Sequence, residues 1–208
     1  MKAVALFSGG KDSFLSAMIA MEQGFDVKRA VTIIPEEYSM MFHYPNAEKS
    51  RYAASLLSID VEYIYESKFE EYILKLNDVD ALVSGAIASD YQKTRIERLC
   101  TMSGIISFAP LWRKNQIEII REIISREIRA MIVSVSAEGL NINDLGMEIN
   151  NNYLKRLLNL NERYRINIAG EGGEYETFVF GLGKNVLNIK NKNIIWKGSG
   201  GYLDFEII

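Results

Sequence analysis

Six consecutive residues, Ser8-Gly9-Gly10-Lys11-Asp12-Ser13, place two glycines, two hydroxyls, a cation and a carboxylate between a short apolar run and a stretch of helical spacing. Such a strand-to-helix turn suits anion binding. Glycine removes the Cβ that would hold the backbone away from a phosphate, successive amides form a concave donor surface, and N–H groups at a helix start face the anion. Lys11 is a candidate for charge neutralisation. Asp12 is a candidate magnesium ligand, since that ion favours one or two carboxylates plus phosphate oxygens. The motif is not a Walker A loop, because Asp12 rather than Ser or Thr follows Gly10-Lys11 and no glycine lies five residues before Gly10. Nor is it the G-x-G-x-x-G of dinucleotide folds. The bland alternative is a helix N-cap turn with Ser8 or Asp12 as the cap. A second glycine-rich turn, Gly170-Glu171-Gly172-Gly173-Glu174-Tyr175-Glu176-Thr177, gathers carboxylates. In a strand following Gly173, Glu174 and Glu176 would share one face and Tyr175 would point the other way.

The hydrophobic period gives the elements that position these turns. Strand-like runs at 3–7, 27–34, 61–65, 81–84 and 105–109 alternate with helix-like stretches at 13–23, 47–57, 69–76 and 91–102, the pattern of a parallel sheet with helices on its faces. After Pro110 the spacing of Ile117, Ile120 and Ile124 predicts a packing helix over 116–125, followed by a strand at 131–135. The pattern then changes: a helix around 152–164 leads through the second glycine turn into two or three β-rich stretches. Two lobes are expected, 1–112 with the first glycine turn and 113–208, a smaller α+β lobe, with the second. The Lys- and Asn-rich segment 184–197 alternates β-branched residues, as an exposed sheet face does.

Composition narrows the class. The 208 residues carry 24 basic and 27 acidic side chains, a net charge of −3, with 48% hydrophobic and 25% charged residues. These are globular proportions and not those of a nucleic-acid coat. One cysteine, Cys100, and one histidine, His43, leave no set for a structural zinc site or an internal disulfide, and a cytoplasmic setting is the default. No apolar stretch approaches the ~20 residues of a membrane span. The opening Met1–Phe7 run reads as a strand rather than a signal peptide. Composition leaves a homo-oligomer open.

The strand, then Ser-Gly-Gly-x-Asp-Ser, then helix, resembles the PP-loop of ATP pyrophosphatases, which split ATP into AMP and pyrophosphate. Four further segments resemble one branch, the diphthine-ammonia ligases (diphthamide synthetases): Met41 to Asn46 around His43; Gly85 to Glu97 with Asp90, Tyr91 and Arg95; Pro110 to Gln116 with Trp112; and Gly170 to Phe178. Lys93 and Lys114 stand where the pattern would have arginine, and both keep the charge. The resemblance implies a Rossmann-like, adenine nucleotide alpha hydrolase-like fold with helices on both faces. It also implies an ATP- and Mg2+-dependent amidation of the diphthine carboxylate on translation elongation factor 2.

By that resemblance Ser8, Gly9, Gly10, Lys11, Asp12 and Ser13 bind ATP. His43, Asp90, Tyr91, Arg95, Trp112, Glu171, Gly172, Gly173, Tyr175 and Thr177 are candidate substrate contacts, and Glu174 or Glu176 is the candidate base that deprotonates ammonium. Aromatic faces and acidic side chains suit diphthine's trimethylammonium group. From the residues alone, Asp90 would cap a helix, Trp112 would fill a junction, and His43 would be a surface histidine. Cys100 sits in a predicted helix, so free ammonium rather than glutamine is the expected nitrogen source. Two rivals remain: a PP-loop enzyme that adenylates a tRNA base, against which the net charge and missing zinc ligands speak, and a non-catalytic ATP sensor.

Overall fold

The computed structural model describes residues 1–35 and 47–208. His43 and the segment around it lie outside the described residues. The chain divides into two compact units, Met1–Arg113 and Lys114–Ile208.

The first unit is a five-stranded parallel sheet in the order β3-β2-β1-β4-β5. Its strands are β1 (Lys2–Leu6), β2 (Asp26–Ile34), β3 (Asp60–Tyr65), β4 (Ala81–Val83) and β5 (Ile106–Phe108), and its helices are α1 (Lys11–Glu22), α2 (Ser50–Ser55), α3 (Phe69–Leu74) and α4 (Asp90–Ser103). Because neighbouring side chains on a strand point to opposite faces, Val4, Val31, Ile33 and Leu82 turn one way. There they pack with Phe69 and Ile73 of α3 and Ile96, Leu99 and Cys100 of α4. The opposite face receives α1 and α2. Phe7 meets Phe14 of α1 at 6.2 Å between ring centroids, and the buried Thr32 hydroxyl donates to Phe7 O and meets Ser50 Oγ of α2 at 2.7 Å. Helices therefore cover both faces, as the sequence pattern predicts.

The second unit is a five-stranded antiparallel sheet in the order β8-β7-β6-β10-β9. It is built from β6 (Ile128–Val135), β7 (Tyr175–Leu182), β8 (Asn185–Val186), β9 (Ile189–Lys197) and β10 (Gly200–Ile207), with α5 (Gln116–Ser125) and α6 (Asn151–Tyr164). Four strands rather than two or three follow the second glycine turn, and the strand around 131–135 joins them at the sheet's centre. On α5 the buried stripe runs through Ile119, Ile120 and Ile123, which leaves Ile117 and Ile124 half-buried at its flanks. Asn115 and Asn150 cap α5 and α6, each accepting two first-turn N–H groups. Most of β9 is exposed.

Candidate functional site

The candidate residues fall on two surfaces, one in each unit. In the first, the Ser8–Ser13 turn leaves the carboxyl end of β1, the central strand, where the chain first builds outward through β2 and β3 and then reverses to β4. In open α/β sheets that switch point is where ligands bind. Gly10 precedes α1 in extended backbone with no side-chain cap, so a capping Ser8 or Asp12 is not what the turn contains. The hydroxyls instead knit the turn together. Ser13 Oγ donates to Gly10 O at 3.0 Å and accepts from Ser8 N at 3.2 Å, while Gly10 N donates to Ser8 Oγ at 3.3 Å. The Ser13 hydroxyl, assigned from sequence to a phosphate, thus holds the loop's shape. Lys11 is 3% exposed and its ammonium lies 2.7 Å from Asp12 Oδ2, placing a cation beside the carboxylate proposed for magnesium.

The segment leaving β4 closes on the same turn. A Cβ on Gly85 would stand 2.8 Å from Ser13 N and 3.0 Å from Asp12 C, backbone atoms that cannot swing away. Only glycine permits that approach, and its role is absent from the sequence reading because the contact spans seventy residues. From there Ser89 caps α4 by accepting from Gln92 N, so the cap is Ser89 and not Asp90. Asp90 opens the helix, is exposed, and lies 3.5 Å from the exposed Arg113 guanidinium. Arg113 N donates to Ile87 O at 2.7 Å, tying the end of the unit onto this loop.

Two assigned contacts change character here. Arg95 Nε lies 3.3 Å from Glu70 Oε1 and its guanidinium sits 5.2 Å from the Phe69 ring centroid, so it braces α4 against α3. The Trp112 ring has the Lys93 ammonium at 5.1 Å and the Arg113 guanidinium at 5.6 Å. A substrate cation would have to displace protein cations from it. Tyr91, 58% exposed, keeps an accessible aromatic face. Cys100 is buried, and burial pushes its thiol up to about 11, which removes it as a nucleophile at neutral pH.

In the second unit the acidic turn is a hydrogen-bonded loop. Glu174 Oε1 accepts from Asn167 N at 2.8 Å and Oε2 accepts from Gly172 N at 2.9 Å. Asn167 Oδ1 accepts from Ala169 N and Glu171 N, Gln116 Oε1 accepts from Ile168 N, and Ser136 donates its hydroxyl to Gly173 O and its N–H to Glu174 O. Gly170 has φ +74°, and a Cβ there would meet Tyr175 O at 2.9 Å. Both oxygens of Glu174, expected as a candidate base, thus hold backbone amides of the loop. Tyr175, expected as a substrate contact, is 2% exposed and donates its hydroxyl to Ile168 O at 2.6 Å, so its face lies in the core. Glu176, half-buried on β7, lies where β6 carries an irregularity between Ile132 and Ser134. Such a bulge re-aims nearby side chains. Asn167, Gln116 and Ser136 were missed from sequence, because single polar residues carry no period.

Comparison with known proteins bears on this arrangement. The family model described as the diphthamide synthase N-terminal domain matches residues 1–107, and that described as the diphthamide synthase C-terminal domain matches residues 115–207. A protein of Schizosaccharomyces pombe named diphthine–ammonia ligase is 29% identical over 96% of this chain and 38% of its own length. One of Homo sapiens with the same name is 32% identical over 86% of this chain and 78% of its own. This chain thus spans well under half of the yeast relative. A solved structure described as a predicted subunit of tRNA methyltransferase from Methanocaldococcus jannaschii aligns with 89% of this chain and 100% of its own, at 19% identity and a TM-score of 0.49. No described helix is long and apolar enough to cross a membrane. With the two domain models matched in order along nearly its whole length, the chain belongs to the diphthamide synthase family.

Proposed function

We propose that this protein is an ATP-dependent carbon–nitrogen ligase that amidates the diphthine carboxylate of translation elongation factor 2 with free ammonium in the cytoplasm, releasing AMP and pyrophosphate. The observation that carries this is the position of the Ser8–Ser13 turn at the switch point of the parallel sheet, with Gly85 held against the backbone of Asp12 and Ser13. Amides of the turn and of the first turn of α1 would receive the phosphates, and the helix dipole favours their charge. Glycines where a Cβ would close the cradle fit a triphosphate. Asp12 beside Lys11 fits an ion that takes one carboxylate and draws its other ligands from phosphate and water. Magnesium bound there would neutralise charge developing on the α phosphate and on pyrophosphate.

In this scheme a diphthine carboxylate oxygen attacks the α phosphorus, the bond to the β phosphate oxygen breaks, and pyrophosphate leaves. The acyl-adenylate has a stable departing group, which the free carboxylate lacks. Glu176 takes a proton from ammonium, ammonia adds to the acyl carbon, the adduct's nitrogen loses a second proton to water, and collapse of the adduct expels AMP. Tyr91 offers an aromatic face and Glu171 an acidic group, each of a chemistry that suits a trimethylammonium group. Glu174, Asn167 and Ser136 hold the turn that presents Glu171 and Glu176. Buried Cys100 gives no support to a glutamine-splitting nucleophile.

Mixing the protein with Mg·ATP, ammonium and diphthine-bearing elongation factor 2 should release pyrophosphate and AMP only when all three are present. Release of ADP and phosphate would replace the adenylate with an acyl phosphate, and turnover on glutamine without ammonium would end the free-ammonium proposal. ATP binding without any turnover would make the protein a sensor.

A further inference from the structure

A cavity of about 390 Å3 lies within the second unit, between the turn carrying Gly139 and Asn141 and the C-terminal half of α6. Its size falls among small-ligand sites, about 300–1,000 Å3. Its polar lining holds no carboxylate: it is made of the Arg156 and Arg163 guanidiniums and of the Asn141 and Asn159 carboxamides and the Tyr164 phenol, which can each donate. Arg156, Asn159 and Arg163 recur three and four residues apart and so share one face of α6.

Arg156 is fixed in place by a carboxylate outside that wall. Asp144 is 2% exposed, and its oxygens are taken by Arg156 Nε at 2.6 Å, Arg156 Nη2 at 2.7 Å, the Tyr153 hydroxyl at 3.1 Å and Asn141 N at 2.8 Å. Those bonds use two of the guanidinium's nitrogens, with Nη2 also reaching Gly139 O at 3.3 Å, and a guanidinium carries five N–H donors. Arg163 is exposed and has no ion pair among the described residues. Two guanidiniums thus line one cavity, one fixed by Asp144 and one with no carboxylate on it, and a guanidinium fork is a donor set that grips carboxylates and phosphates.

We propose that this cavity binds an oxyanion, a carboxylate or phosphate group carried on a small molecule, with Arg156 and Arg163 as the charged grip and Asn141 and Asn159 donating beside them. The site goes beyond the ligase function and lies among residues which that function does not use. In a protein of net charge −3 the overall field repels an anion, so binding depends on these local donors and weakens with salt.

The test titrates 15N-labelled protein with sodium phosphate and, separately, disodium glutarate, holding ionic strength constant with sodium chloride. Saturable shifts of the Gly139, Asn141, Asn159 and Arg163 amide signals are expected with at least one probe, and affinity about tenfold weaker in Arg163→Ala, the scale of one charge-assisted contact. Saturation by phosphate alone assigns phosphate chemistry, and by glutarate alone carboxylate chemistry. Signals of Ser8–Ser13 report the ATP loop independently, so failure of either site is read without the other. Linear, unsaturating shifts with both probes, or undiminished affinity in Arg163→Ala, would overturn the proposal.

Discussion

Replacing Glu174 should damage stability first and chemistry second, whereas replacing Glu176 should do the reverse. Glu174 Oε1 and Oε2 each accept one backbone amide, from Asn167 and Gly172, and a hydrogen bond to a charged group is worth about 1.5–3 kcal/mol. Glu174→Ala loses both, but the Gly172 amide lies at the exposed surface and regains water, so the net loss is about 1–3 kcal/mol. For a chain of this length that corresponds to roughly 2–4 °C in Tm per kcal/mol. Glu174→Gln keeps one acceptor and should fall between. Thermal unfolding measures the first effect; steady-state pyrophosphate release at several pH values and ammonium concentrations measures the second. Glu176→Gln should leave Tm within about 1 °C, because the isosteric amide keeps the side chain's shape and one acceptor oxygen. It should lower kcat by about 10²–10⁴-fold, the usual contribution of a positioned base. That loss should shrink as pH rises, since free ammonia then arrives already deprotonated. The reasoning fails if Glu174→Gln unfolds at the wild-type temperature while losing more than about 10²-fold in kcat with rescue at high pH. Glu174 would then be the base, and its two amide bonds incidental.

Three further outcomes test the frame around these residues. Gly85→Ala puts a Cβ 2.8 Å from Ser13 N and should weaken ATP binding by about tenfold or more, a loss near 1.4 kcal/mol, read by calorimetry; unchanged affinity would detach the β4 exit from the ATP loop. For Asp144, burial alone would raise the carboxyl, yet hydrogen bonds from Arg156, Asn141 N and Tyr153 hold it below its ordinary value. Its stabilisation is therefore complete above the unfolded value near 3.9 and lost as pH falls below it. Asp144→Asn should cost about 1–3 kcal/mol at pH 7, since the buried carboxylate loses charge-assisted hydrogen bonds while the Arg156 left behind is partly solvated. In melts over pH 2–7 it should also flatten the decline below pH 4, and a parallel decline in both proteins would refute the assignment. Cys100, buried with its thiol pushed up to about 11, should resist iodoacetamide at pH 7.5 in folded protein and react on unfolding; rapid labelling with loss of turnover would reopen a cysteine role.

Where side chains answer to a period, the sequence was legible. Alternating burial in β1 and β2 and the helical spacing of α4 follow from one buried face each, which is why the parallel sheet with helices on both faces could be anticipated from residue types. The same rule misplaced the centre of the α5 stripe by one residue, because Ile fills 117, 119, 120, 123 and 124 and a run so uniform does not mark its middle. The candidate sites depend on a different kind of information. Glu174 and Glu176 are indistinguishable by type, charge and alternation, and what separates them is that Asn167 and Gly172 direct amides at one of the two. Tyr175 reads as a cage residue until Ile168 supplies a carbonyl for its hydroxyl, after which its ring belongs to the core. Trp112 reads as an open face until Lys93, nineteen residues earlier, lies over it. In each case a hydrogen-bond or cation–π partner that the residue type does not announce separates reactive from structural roles, since buried polar groups must be satisfied. Among the carboxylates of the second turn, Glu174 is committed to the Asn167 and Gly172 amides, which makes Glu176 the first to mutate when seeking the proton acceptor.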